Sequence, residues 1–342
     1  MLVIAAIGLS QYLVQYHENS QVEADVTIGD FKMSFYSVND KVQHKKLLTN
    51  PDIKQVVKSK VYSTREIQLR PGSWGIDRID SRVGVDNKYI YPESAGKSVT
   101  AYVVDTGVDI THKEFEGRAF HGIDMVNENH QDLDGHGTHV AGILGSKTYG
   151  VAKLVNIVSV KVLNATGDGD DFQIIKGMEW AVKDAKANKR KAVMNLSLGG
   201  EFSKVLNAAV AAVVSQGIHV TVAAGNDDID ACTESPGSSP SVITVGNSDR
   251  NDKKARSSSW GPCVDIFAPG ENIKSTFRRS AGSKSGSSMS TPHVTGVLAL
   301  YLSEGVPVKS LKKKLLDNGT KDAIIQLRPD TVNILVYNQL PK

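Results

Sequence analysis

Residues 98–105, SVTAYVVD, hold the reading on which the fold turns. Ser98 to Val104 is a continuous apolar β run that ends on Asp105. A strand buried on both faces has this character, because neither face needs to alternate with solvent. Four further runs share it: Ile157 to Leu163, Ala192 to Leu198, His219 to Ala224 and Ser241 to Val245. Helical patterns lie between them, from Phe172 to Ala187 and from Ser203 to Ser215, with Val294 to Leu302 near the end. Buried strands alternating with helices predict an α/β fold with a mostly parallel sheet. Sites in such sheets gather at the carboxyl ends of the strands, which is where Asp105 falls.

Composition narrows the function classes. The 342 residues are 40% hydrophobic and 23% charged, which excludes disorder, collagen and coiled coil. A net charge of +3 is too small to make nucleic acid or an anionic membrane the main partner. Two cysteines exclude a disulfide scaffold and leave room for one bridge. Leu2 to Leu9 is too short to span a bilayer, and no later segment reaches that length. It reads either as the apolar core of a weak secretory signal, with no Lys or Arg before it, or as a short strand or truncated start over residues 1–10.

Residues 11–65 form a different module. Gln11 to Tyr16 alternates as a half-buried strand, and Val26 to Tyr36 reads as a hairpin turning at Gly29-Asp30. Lys41 to Leu48 is helical in pattern, and Ile53 to Val61 is strand-like. The basic stretch with Lys58, Lys60, Arg65 and Arg70, closed by Pro71-Gly72, reads as a linker or cleavage zone. Residues 66–342 follow as the larger domain.

Four segments carry chemistry. Asp105-Thr106-Gly107 places a carboxylate at a strand end. The aspartic-protease reading of that triplet fails, because no second Asp-Thr/Ser-Gly exists to share a proton. In Asp134-Gly135-His136-Gly137-Thr138-His139, no Glu separates the histidines and no third metal ligand is evident. A general-base His136 at a helix start fits better, with His139 packed. Ala223-Ala224-Gly225-Asn226 ends a strand in a close backbone approach and one amide donor. Gly286-Ser287-Ser288 runs into an apolar helix, with Pro292 expected in its first turn. The helix start then favours negative charge developing beside Ser288. Gly-x-Ser-x-Gly is absent there, and Gly96-Lys97-Ser98 lacks the upstream Gly of a phosphate loop.

Taken in the order Asp105, His136, Asn226, Ser288, these segments resemble the subtilisin superfamily of serine proteases, in particular its proteinase K and fungal cerevisin-like group. The resemblance runs from about Trp74 to Tyr337 and includes His112 to Ala119 and Ser146 to Lys153. It implies a three-layer subtilisin-like fold and a serine endopeptidase working through an acyl-enzyme. Ser288 would be the nucleophile, His136 the base and Asp105 its orienting carboxylate. The Asn226 amide and the Ser288 N–H would hold the oxyanion. Substrate would add as a strand, with Ser197-Leu198-Gly199-Gly200 forming one wall of the primary pocket, Ala223-Ala224-Gly225 the other, and Gly167-Asp168-Gly169 pairing with the substrate further upstream. The module at 11–65 resembles the family's inhibitory propeptide, notably at Thr27 to Phe31 and Asn50 to Asp52. The usual first helix has no room between Glu18 and Asp25, so the module reads as degenerate or incomplete.

The resemblance carries further expectations. Cys232 and Cys263 would be bridged. Pro240, Val242 and Asp265 would offer two carbonyls and a carboxylate to a structural calcium, and no other cofactor is required. Glu234 stands where relatives carry an aromatic or small residue, and with Asp168, Asp170 and Asp171 it predicts a preference for Lys or Arg before the scissile bond. Proteins or peptides are the expected partners, with the module as intramolecular inhibitor, a monomeric state, and a place in the secretory pathway, cell wall or vacuole. The alternatives are a catalytically silent relative that binds, and a kexin-type processing protease, which Thr106 after Asp105 disfavours. The sequons at Asn164 and Asn318 are expected to accept glycans, and Asn195, in a buried strand, is not.

Overall fold

The computed structural model describes residues 10–28, 30–38, 41–58 and 65–339. They fall into two compact units, 10–58 and 65–339. The Leu2–Leu9 run and Lys60 lie outside the described residues.

The smaller unit contains β1 (Ser10–Tyr16), β2 (Val26–Ile28), β3 (Phe31–Val38), α1 (Lys41–Leu48) and β4 (Ile53–Lys58). Its antiparallel sheet runs β2-β3-β1-β4. The hairpin closes with Ile28 opposite Phe31, and Leu13 of β1 pairs with Phe35 on one side and Val57 on the other. Between Tyr16 and Val26 the chain makes turns and no helix.

The larger unit opens with β5 (Arg65–Leu69), α2 (Trp74–Ile79) and β6 (Lys88–Pro92). Within the zone expected to be a linker, Arg65–Leu69 is therefore a strand. Arg65 to Leu69 pairs antiparallel with β6, from Arg65 opposite Pro92 to Leu69 opposite Lys88, a partner that the local sequence does not announce. Then follow β7 (Val99–Asp105), β8 (Ala119–Asp124), α3 (His136–Gly145), β9 (Asn156–Lys161), α4 (Asp171–Ala187), β10 (Lys191–Leu196), β11 (Gly200–Glu201), α5 (Lys204–Ser215), β12 (His219–Ala223) and β13 (Glu234–Ser235). The chain continues through β14 (Ile243–Ser248), β15 (Ile266–Pro269), β16 (Ile273–Phe277), β17 (Ser280–Lys284), α6 (Ser287–Ser303), α7 (Leu311–Asn318), β18 (Thr320–Lys321) and β19 (Ile334–Leu335).

The central sheet runs β18-β19-β15-β14-β12-β10-β7-β9-β8. All its neighbours pair parallel except β18 with β19. Every residue of β7 is buried. Val99, Ala101 and Val103 point to the side covered by α3 and α6, while Tyr102 and Val104 point to the side covered by α4 and α5. Each of these valines contributes about 1.5–3 kcal/mol when fully buried, which is why the run favours apolar residues on both sides. The result is the expected three-layer α/β sandwich, with Asp105 at the carboxyl edge of a central strand. No helix among the described residues is long and apolar enough to cross a membrane.

Of the three sequons, Asn195 is buried in β10 as expected. Asn318 departs from expectation. It is 5% exposed and its amide donates to the Tyr301 hydroxyl at 2.5 Å, so its side chain is committed inward.

Candidate active site

Asp105 closes β7 and is fully buried. Its Oδ1 accepts the Thr106 N–H at 2.7 Å and faces His136 Nδ1 at 2.7 Å. His136 is the first residue of α3. The approach requires glycine at the next position, because a Cβ on Gly137 would lie 2.0 Å from the Gly107 carbonyl oxygen. Burial disfavours charge on the imidazole, but the charge and hydrogen bond of Asp105 outweigh it, so the ring's pKa is raised above its ordinary 6.5. His139 is buried and faces the Gly282 carbonyl through Nε2 at 3.1 Å, a packed histidine as expected.

Two residues that no motif singled out hold this pair in place. One oxygen of Asp132 accepts Thr106 Oγ1 at 2.7 Å and the Gly135 N–H at 2.8 Å. Its other oxygen accepts the Thr138 N–H at 2.8 Å and the Thr138 hydroxyl at 2.5 Å. Asp132 thus ties the loop after β7 to the start of α3. The available signal was an Asp just ahead of a helix start, a common capping pattern. Lys161, fully buried, donates to the Thr106 carbonyl at 2.5 Å and the Leu163 carbonyl at 2.9 Å, and pairs with Glu128 at 2.9 Å.

Ser288 is the second residue of α6, after Gly286 at φ 144°. Pro292 lies in the second turn, one turn later than expected. It has no N–H to give the Ser288 carbonyl, the acceptor four residues back. The Ser197 hydroxyl donates to that carbonyl at 2.8 Å instead. In return the Ser288 hydroxyl donates to the Ser197 carbonyl at 3.1 Å. The Asn226 side-chain oxygen accepts the Ser287 N–H at 2.8 Å and the Ser287 hydroxyl at 3.1 Å, which leaves its NH2 end as the one able to donate elsewhere.

His136, Asn226 and Ser288 line one cleft of about 870 Å³, together with Gly167, Asp168, Gly169, Ser197, Leu198 and Gly199. A hollow of about 110 Å³ shares Ser288 and Asn226 and adds Ala223, Gly225 and Glu234. Ala224 faces the other way. It is 1% exposed and packs with Ala231, Val264 and Phe267, because successive residues at a strand end point to opposite sides. Cys232 and Cys263 are bonded, with Cα atoms 5.3 Å apart. On the chain-entropy account, closing the 31-residue separation contributes about 3–4 kcal/mol.

The expected calcium site is the correction. Pro240 O, Val242 O and the Asp265 carboxylate do converge, but on the Lys312 ammonium, at 3.3, 2.5 and 3.0 Å. The three oxygen donors already hold a cation supplied by α7. A calcium ion does not fit among them while Lys312 stays.

The subtilase family model matches residues 96–326. Cerevisin of Saccharomyces cerevisiae is 42% identical over 320 residues, 84% of this chain and 50% of that protein. Subtilisin-like protease 7 of Arthroderma otae is 47% identical over 253 residues, 72% of this chain and 63% of that protein. A subtilisin-like serine protease of Rhodotorula mucilaginosa is 42% identical over 315 residues, covering 84% of this chain and 92% of its own. A crystal structure of a cold adapted subtilisin-like serine proteinase superimposes with a TM-score of 0.75 at 42% identity, over 78% of this chain and 98% of the other. The chain spans about half the length of cerevisin. With the family model covering most of the larger unit, the helix-start His and helix-start Ser brought to one cleft, and the strand-end Asp buried against that His, the chain belongs to the subtilase family.

Proposed function

We infer that the chain is a serine endopeptidase. The observation that carries this reading is the buried Asp105 carboxylate 2.7 Å from His136 Nδ1, on a cleft whose wall also holds Ser288 and Asn226. A carboxylate there fixes the ring with Nδ1–H toward Asp105 and leaves Nε2 as base. Release of the Ser288 hydroxyl from the Ser197 carbonyl would free its proton for Nε2. Its proton passes to His136 as Oγ bonds to the substrate carbonyl carbon. The oxyanion is met by the Asn226 NH2 and the Ser288 N–H. Losing one such donor costs about 10²–10³ in rate, a magnitude taken from a subtilisin and not from this chain. His136 then protonates the leaving amine as the C–N bond breaks. Water repeats the sequence on the acyl-enzyme and releases the acid.

The module at residues 11–65 is proposed as inhibitor and folding aid, removed by self-cleavage. The Cys232–Cys263 bond favours an oxidising compartment along the secretory route. One observation favours the alternative of a silent binding relative: the Ser288 hydroxyl is engaged by Ser197. A fluorophosphonate probe separates the two. Labelling of the purified chain, lost in Ser288→Ala, is the expected result. An unlabelled, correctly folded chain that hydrolyses no peptide would end the protease reading.

A further inference from the structure

The hollow beside Ser288 has an unusual floor. Gly225, at φ 105°, leaves no Cβ there, and a Cβ built on it would lie 2.1 Å from Glu234 Oε2 and 2.8 Å from Ser259 Oγ. Both atoms are sealed from solvent and neither has a hydrogen-bond partner. A carboxylate oxygen can only accept, so a donor is what this floor lacks. Leaving such a group unpaired costs more than a neutral one, and an arriving cation recovers that cost. Burial first, then the nearby charge of Asp227, raises the Glu234 pKa, as befits a carboxylate held without its counterion.

The backbone fixes the carboxylate in place. Glu234 pairs with Glu201 across the β11–β13 ladder, its carbonyl accepts the Ser238 N–H at 2.9 Å, and Cys232 of the disulfide lies two residues before it. The adjoining cleft has the same sign. Asp134, Asp168, Asp170, Asp171 and Glu201 line it, against Lys284, which is itself 3.6 Å from Asp134. Such a wall raises the local concentration of cationic segments and lowers that of anionic ones.

We propose that Glu234 is the specificity-determining residue of this chain, and that the hollow takes a lysine or arginine side chain immediately before the scissile bond, with flanking basic residues favoured along the cleft. This rests on the endopeptidase reading only for its kinetic form. The side chain enters with its methylenes against Leu198 and Ala223 and its charged end toward the Glu234 carboxylate. An acidic residue there would place two carboxylates together and is excluded.

The test uses peptides that differ only at that residue: Lys, Arg, Phe and Glu. For the wild-type chain, kcat/KM for Lys or Arg is expected to exceed that for Phe at least about tenfold, the factor one hydrogen bond to a charged group supplies. Glu is not cleaved. In Glu234→Gln the ratio of Lys to Phe falls by at least about that factor. Equal cleavage of Phe and Lys by the wild type, or an unchanged ratio in the variant, overturns the proposal. If the wild type neither cleaves nor takes the fluorophosphonate probe, the protease reading fails by itself. Titration of the Lys and Phe peptides into the Ser288→Ala chain then still reads the pocket: tighter binding of Lys supports the proposal, and equal binding refutes it.

Discussion

The Lys312 ammonium lies 3.0 Å from the Asp265 carboxylate, across 47 residues of sequence. The same nitrogen reaches Val242 O at 2.5 Å. The loop before β14 and the residue just before β15 are thereby joined to α7 by a covalently tethered cation. Such a cation does not dissociate and is not removed by chelators.

Thermal stability is therefore expected to be indifferent to chelation at this place. Treatment with a calcium chelator should leave the Tm of the Ser288→Ala chain unmoved. Lys312→Ala should lower stability by about 1–3 kcal/mol, because it strands two carbonyls and a half-buried carboxylate. At roughly 2–4 °C per kcal/mol for a domain of this size, the loss is visible in a melting curve. Added calcium should restore part of it in the variant and nothing in the parent. A Tm that drops several degrees when the parent chain is chelated would sink this reading.

How far the sequence reached depends on whether the relevant forces were local. The doubly buried strands announced themselves because each needs apolar residues at every position, and Asp105 marked where β7 leaves the core. Ser288 and His136 were legible because helix starts and glycine turns leave a local imprint. Lys312 was not. Within Lys312-Lys313-Lys314 nothing distinguishes the residue that turns toward Asp265 from the one that pairs with Asp317 on the helix surface. Asp132 and the exchange of hydrogen bonds between Ser197 and Ser288 were hidden for the same reason, since their partners lie far along the chain or depend on a fold already formed. Pro292 misled by one turn because its cost is offset by Ser197, a hydroxyl 91 residues away.

The pH dependence of activity follows from His136. Its base form must be neutral, and its pKa is raised above 6.5. The kcat/KM profile is expected to fall on the acid side through a value above 6.5 and to be flat above it. Asp105→Asn should move that limb down and cut kcat by about 10⁴, as loss of the orienting carboxylate does in other triads. The stability sign is opposite. A folded pKa raised above the unfolded value adds stability that is complete below about 6.5 and is lost as pH rises through the folded value. A limb at or below pH 6 in the wild type would contradict the coupling of His136 to Asp105.

Acid lability is expected to come from two other histidines. His139 and His293 are both buried, and burial lowers each pKa to about 4. His293 Nε2 has no partner to stabilise an added proton. His293 Nε2 also lies where a side chain on Gly75 would be, 2.4 Å from that position, so it cannot swing out without moving α2. Between pH 6.5 and about 4 the unfolded chain binds these protons and the folded chain does not. Their contribution to stability is thus complete above pH 6.5 and lost as pH falls toward 4. Urea midpoints of the Ser288→Ala chain, taken at steps across that window, should decline steeply with acid. Replacing His293 by Gln removes one titrating group, so its midpoints should decline less steeply than the parent's, even though the variant starts from lower stability. A parent chain equally stable at pH 6.5 and pH 4.5 would show that neither ring is held neutral by its burial, and that the packing of α6 against α3 tolerates charge that the geometry says it cannot.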